Sequence, residues 1–241
     1  LANTRYSILQ EEKLLRLFRA QKPAGLIVTG INQTAESRAI LESMNCPITQ
    51  IMEIGDSPVD MMVGFSHYDA GFAAISHILE QGYRRVGFLG ARMDPRVQRR
   101  FEGYRDALKA VSLFDPNLVI TTSVPTTVTL GGTLFADLLA KTPDIDAVFC
   151  VNDDLALGVL FECQRRQISV PRDLAIVGFN DLEYMESAVP SLTSVRTNRY
   201  EMGRHAISMV IDAIEGRRPQ EPVLDLGFQL MVRESSTPQN A

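Results

Sequence analysis

The stretch Val170-Pro171-Arg172-Asp173-Leu174-Ala175-Ile176-Val177-Gly178-Phe179-Asn180-Asp181 decides the class of fold. It opens with a turn, because Pro171 cannot continue a helix and its ring presets a turn conformation. A short unbroken apolar run, Leu174–Phe179, follows. A run with no polar alternation describes a strand covered on both faces, as in a parallel sheet with helices on either side. Asn180 and Asp181 then close the run at its C-terminal end, the end at which open α/β sheets hold ligands.

The same unit repeats outward from this strand. Apolar runs of the same kind lie upstream at Gly25–Thr29, Ile48–Ile54, Met61–Phe65, Arg85–Leu89, Leu118–Thr121 and Ala147–Val151. Helical patterns separate them at Ser7–Ala20, Ala35–Asn45, Asp69–Gln81, Val97–Val111, Leu130–Lys141 and Asp153–Gln167, and Tyr200–Glu215 follows downstream. Strands alternating with helices predict parallel sheets with helices on both faces. Gly82 and Gly216 stand where C-terminal helix caps are expected. Leu1–Thr4 reads as the end of a strand that begins upstream, and Ser235–Ala241 as a loose tail.

The totals narrow the class further. A length of 241 residues holds one large α/β domain or two lobes. No apolar run approaches the roughly 20 residues of a membrane span, and no secretory leader pattern follows Leu1. Cys46, Cys150 and Cys163 form an odd set without metal-ligand spacing, which favours a reducing cytoplasm over a disulfide framework. A net charge of −5 makes the chain a poor displacer of counterions, so contact with DNA is not expected of these residues themselves.

No catalytic set emerges. His77 and His205 fall inside helical patterns, where packing or surface roles are expected, and His67 falls at a strand-to-helix junction, where capping or hinge duty is expected. Zinc-protease, nucleophile-elbow and phosphate-loop motifs are missing. Gly87-Phe88-Leu89-Gly90 lacks the third glycine of a dinucleotide fingerprint. No catalytic residue, metal or cofactor is therefore expected.

The polar groups at strand ends carry the remaining signal. Asn152 and Asn180 follow strands and read either as helix N-caps or as ligand contacts. Asp153 and Asp154 read as capping residues that complement the helix dipole. Arg96 and Arg100 are four apart and share one helical face just after Asp94-Pro95, with Arg99 beside them. Either an anion sits between these guanidiniums, or they form a solvated basic face paired with Glu102 or Asp106.

Several stretches together resemble the lactose/galactose repressor family of bacterial transcription regulators. They are residues 170–181 with Pro190-Ser191-Leu192-Thr193-Ser194-Val195-Arg196, Val151-Asn152-Asp153-Asp154-Leu155-Ala156-Leu157-Gly158, and Arg100-Phe101-Glu102-Gly103-Tyr104 with Ala107-Leu108. Residues 82–90 and Val232-Arg233-Glu234-Ser235-Ser236 complete the set, and the details resemble the family's gluconate-utilisation repressors most.

The resemblance implies two doubly wound parallel-sheet lobes of periplasmic-binding-protein type joined by three crossover segments. The first lobe would be residues 1–64 plus 199–226, and the second 65–198 plus 227–241. It also implies that a helix-turn-helix head, a hinge and the first lobe's opening strand and helix precede Leu1. Function would be effector-gated DNA binding by a cytoplasmic homodimer, with the ligand between the lobes, the operator held by the head and no membrane involved. A transporter's solute-binding protein shares the fold and is the alternative.

Carried over residue by residue, the ligand anchor would be Arg100, with Asn152, Asn180, Phe65, Thr29 and Glu53 lining the site. Three departures bear on the ligand. Asn180 stands where neutral-sugar members often carry Asp, Arg96 stands where they carry a small residue, and no aromatic platform stands near Thr126. Losing a carboxylate and gaining a guanidinium both favour an anionic effector, a sugar acid or sugar phosphate, matched by guanidinium forks.

Overall fold

The structure is a computed structural model that describes residues 1–237. In chain order its main elements are α1 (Ile8–Gln21), β1 (Leu26–Thr29), α2 (Ala35–Glu42), β2 (Ile48–Ile51), β3 (Met61–Gly64), α3 (His67–Glu80), β4 (Val86–Ala91), α4 (Pro95–Ala110), β5 (Val119–Thr122) and α5 (Val128–Lys141). β6 (Ala147–Cys150), α6 (Asp153–Arg166), β7 (Ala175–Asn180), α7 (Glu183–Ser187), β8 (Thr193–Thr197), α8 (Arg199–Ile214), β9 (Val223–Asp225) and β10 (Phe228–Met231) follow. The predicted apolar runs are strands, displaced by a few residues at most, and the predicted helices form in every case. The chain divides into two units, Leu1–Ser66 with Asn198–Gly227, and His67–Thr197 with Phe228–Ala241.

The first unit is built on a parallel sheet in the order β1-β2-β3-β9. Leu15 of α1, Ile40 and Leu41 of α2 and Ile48 of β2 form its buried cluster, flanked by Leu26 and Val28 of β1. Gly64 ends β3 for a steric reason: a Cβ there would fall 2.5 Å from the backbone nitrogen and oxygen of Glu53. The glycine lets the loop after β2 lie directly against the end of β3.

The second unit is built on a sheet in the order β10-β8-β7-β6-β4-β5. All neighbours are parallel except β10, which runs antiparallel to β8 with Phe228 opposite Thr197. β4, β6 and β7 are buried along their length apart from Asn180, as continuous apolar runs require. Helix α3 packs on α4, and α5 packs on α6.

Two expectations at the chain ends are corrected. Leu1–Thr4 is not part of a strand; the Thr4 carbonyl instead accepts from the Ser7 amide, and the Ser7 hydroxyl caps α1. The tail is not loose over its first residues. Glu234–Ser236 is a 3-10 turn, and Ser235 and Ser236 are fully buried. The Ser235 hydroxyl donates to the Ile176 carbonyl at 2.6 Å and accepts from the Thr193 amide at 2.9 Å, while Ser236 Oγ lies 2.7 Å from Nε2 of His77. Small hydroxyls that bond inward read as tail in sequence. The rest of the expected tail, residues 238–241, lies outside the described residues. Among the described residues no helix is long and apolar enough to cross a membrane.

Candidate functional site

The second unit gathers several predicted residues at the C-terminal ends of its central strands. Asp94 caps α4, its Oδ1 accepting from the Arg96 amide at 3.1 Å, and Pro95 occupies the first helical position. From this fixed start, α4 carries Arg100 inward until it is 7% exposed. Its Nε donates to Nδ1 of His67 at 3.2 Å, and its Nη1 donates to the Val151 carbonyl. The guanidinium carbon lies 3.7 Å from the centroid of the Phe179 ring, a cation–π contact. A buried charge is tolerable only with partners of this kind. The His67 ring also stacks on Phe179, with centroids 5.8 Å apart and planes at 27°.

A guanidinium only donates, so Nδ1 of His67 is the acceptor of this bond.

Arg96 departs from the solvated-face reading. Its Nε lies 3.5 Å from Oδ1 of Asp94, and the two side chains are 16% and 13% exposed. Glu102 pairs with Arg99, and Asp106 pairs with Arg105. The solvated basic face is thus made by Arg99, while Arg96 and Arg100 occupy the protected side of the helix.

The two asparagines separate. Asn152 caps α6, its Oδ1 accepting from the Leu155 amide at 3.1 Å. Asn180 caps no helix: it ends β7 at φ +111°, Asp181 follows at φ +55°, and α7 starts only at Glu183. Non-glycine residues adopt such angles when their surroundings impose them. The Asp181 carboxylate is 3% exposed and bonded to Nε of Arg196 and Nη1 of Arg233, each at 2.7 Å.

The expected capping role of Asp153 and Asp154 is corrected as well. Asp153 is fully buried, accepting from the Ser194 hydroxyl at 2.6 Å and from the Leu182 amide at 2.7 Å. Gly178 makes room for it, since a Cβ there would meet Oδ1 of Asp153 at 2.6 Å. Burial is the main influence on its carboxyl pKa, which is pushed up to about 6. Asp154 accepts from the Tyr184 hydroxyl at 2.7 Å. Both carboxylates therefore tie the first turn of α6 to the segment after β7, because Asn152 already serves the cap.

The first unit places its three predicted residues at one sheet edge. Thr29 pairs in register with Ile51, and Ile51 with Val63, so β1, β2 and β3 end side by side. Thr29 is exposed, Glu53 is 4% exposed and accepts from Nδ2 of Asn32 at 3.1 Å, and Phe65 is fully buried.

His67 and Phe179 are the residues that sequence reasoning missed. His67 was legible only as a junction residue and Phe179 only as the end of an apolar run. A concavity of about 400 Å³ between α5 and α6, lined by Val128, Gly132, Gly158, Phe161, Glu162 and Arg165, contains none of the predicted residues. Among the described residues no group of His, Cys, Asp or Glu is arranged to hold a metal ion.

The periplasmic binding protein-like domain family matches residues 75–236. The chain is 42% identical over 236 residues to the HTH-type transcriptional regulator GntR of Pseudomonas aeruginosa, covering 98% of this chain and 69% of that protein. It is 32% identical over 231 residues to the HTH-type transcriptional regulator IdnR of Escherichia coli, covering 95% and 69%. The solved structure of the transcription regulator GntR from Chromobacterium violaceum superposes with a TM-score of 0.94 at 41% identity, covering 98% of this chain and 86% of that one.

Proposed function

Because the chain belongs to the lactose/galactose repressor family of transcription regulators and has its periplasmic-binding-protein-like fold, we propose that it is the effector-binding and dimerisation core of a sugar-responsive regulator whose effector is a sugar acid or sugar phosphate. Gluconate and 6-phosphogluconate are the first candidates. The reading includes no catalysis, a cytoplasmic location, and an operator held by a helix-turn-helix outside these residues. Residues 1–64 plus 199–226 and 65–198 plus 227–241 are proposed as its two lobes.

The observation that carries this reading is Arg100, a buried guanidinium laid on Phe179 and bonded to His67 and to the Val151 carbonyl at the C-terminal ends of the strands. A planar cation oriented in advance suits a carboxylate or phosphate better than a hydroxyl, because charge-assisted bonds are the stronger ones. Asn180 adds amide donor and acceptor capacity without a repelling charge. Effector binding would act by differential affinity for two arrangements of the protein, since only that difference shifts an equilibrium. For the dimer, α6 buries Leu155 and Leu160 but leaves Leu157 half-buried and Phe161 41% exposed. That is the apolar surplus a subunit contact would use.

Calorimetry with gluconate, 6-phosphogluconate, glucose and ribose tests the effector class. A sugar acid or sugar phosphate is expected to bind best. Tighter binding of glucose or ribose would overturn the anionic reading.

A further inference from the structure

We propose that His67 is the positioning residue of the effector anchor, holding the Arg100 guanidinium in the one orientation that receives an anion; this rests on the effector reading above. Three contacts of Arg100 constrain it in different ways. The Phe179 ring, 3.7 Å from the guanidinium carbon, fixes the distance of the group from that face. It does not stop the group from sliding or turning over the ring, because the attraction of a cation to a π-face is weakly directional. The Val151 carbonyl pins one point, Nη1. That bond holds one end of the fork. Nδ1 of His67, 3.2 Å from Nε, is the second point, and two points set the orientation of a planar fork.

His67 is itself well placed for this duty. It is 2% exposed, it begins α3, and its ring is stacked on Phe179, so both its backbone and its plane are constrained. Its bond also occupies the Nε edge of Arg100, which excludes side-on capture of an anion through Nε. His67 thereby sets how a carboxylate is met as well as where.

The test uses three variants of the chain, with gluconate and 6-phosphogluconate as calorimetric probes and thermal unfolding as a check on folding. In H67N the amide oxygen reaches about the place of Nδ1, whereas in H67Q the amide lies one bond farther out and H67L has no acceptor. We expect H67N to bind within about threefold of the wild type, and H67Q and H67L to lose about tenfold or more, the usual scale for a bond to a charged group. Comparing Asn with Gln keeps the test independent of H67L folding. A histidine that merely filled space would not distinguish the position of an amide oxygen. Equal affinities for H67N and H67Q, or an unchanged H67L, overturn the positioning role while leaving the effector reading intact. A wild-type chain that binds neither probe overturns the effector reading, and the role of His67 with it.

Discussion

Asp94 engages Arg96 twice: its Oδ1 accepts from the Arg96 amide at 3.1 Å, and the Arg96 guanidinium folds back to within 3.5 Å of the same oxygen. One carboxylate oxygen thus starts α4 and partly neutralises the Arg96 guanidinium. D94N separates the two roles, because Asn caps helices as well as Asp does. The variant should keep its stability within about 1 kcal/mol and bind a sugar acid more tightly. R96S should shift preference toward neutral sugars. Calorimetry of both variants checks this, and weaker anion binding by D94N would mean that Arg96 needs its partner in order to be placed.

Arg100 should be the costliest residue to lose. R100A is expected to weaken gluconate binding at least tenfold, since charge-assisted hydrogen bonds are worth about 1.5–3 kcal/mol each. R100K should fall nearly as far, because an ammonium cannot lie flat on Phe179 while reaching both His67 and Val151. Normal gluconate binding by R100A would remove Arg100 from the site.

Asp153 should leave a mark on the pH dependence of stability. Its carboxyl titrates near 6 in the folded chain against an ordinary value of 3.8, so the native state holds the proton more tightly than the unfolded state. Stability attributable to this group is therefore full below about pH 3.8 and declines as the pH rises to about 6, by on the order of 2–3 kcal/mol. D153N removes the titration. The difference in unfolding free energy between wild type and D153N, from urea melts at pH 4, 5, 6 and 7, should change in favour of D153N across that window. A constant difference would place the carboxyl pKa back in its ordinary range.

Leu157 should matter to assembly rather than to the fold. L157R introduces a charge on the half-buried outer side of α6, beside the exposed Phe161. Sedimentation should show a wild-type dimer and a weakened one in the variant, with thermal unfolding of the dilute protein little changed. An identical sedimentation profile for both proteins counts against α6 as the subunit contact.

Much of the scaffold was legible because it depends on side chains that need only be apolar. Leu174–Phe179 and Ala147–Val151 announce buried strands with no knowledge of their neighbours. β8 was not legible by that rule. Its Thr193 and Ser194 are fully buried, yet they read as polar, because their partners Ser236 and Asp153 lie 43 and 41 residues away. The site shows the same division. Asn152 could be weighed as a cap because a cap is local, whereas spacing alone left Arg100 undecided and the family resemblance singled it out. His67 stayed hidden since the residue that gives it meaning is 33 positions downstream. Asp153 was misjudged for the same reason, its real partners being across the sheet.

The buried Ser235 hydroxyl has a consequence for how the protein is made. Ribosomes deliver a chain from its N-terminus, and the Ile176 carbonyl that Ser235 serves emerges 59 residues ahead of it. β10, the antiparallel neighbour of β8, arrives almost as late. During synthesis the second unit must wait with one edge of its sheet unpaired, while β1, β2 and β3 of the first unit are already available to one another. β10 thus closes a sheet whose other strands are made before it, and a message cut short after Gly227 would yield a second unit with an open strand edge where β10 belongs.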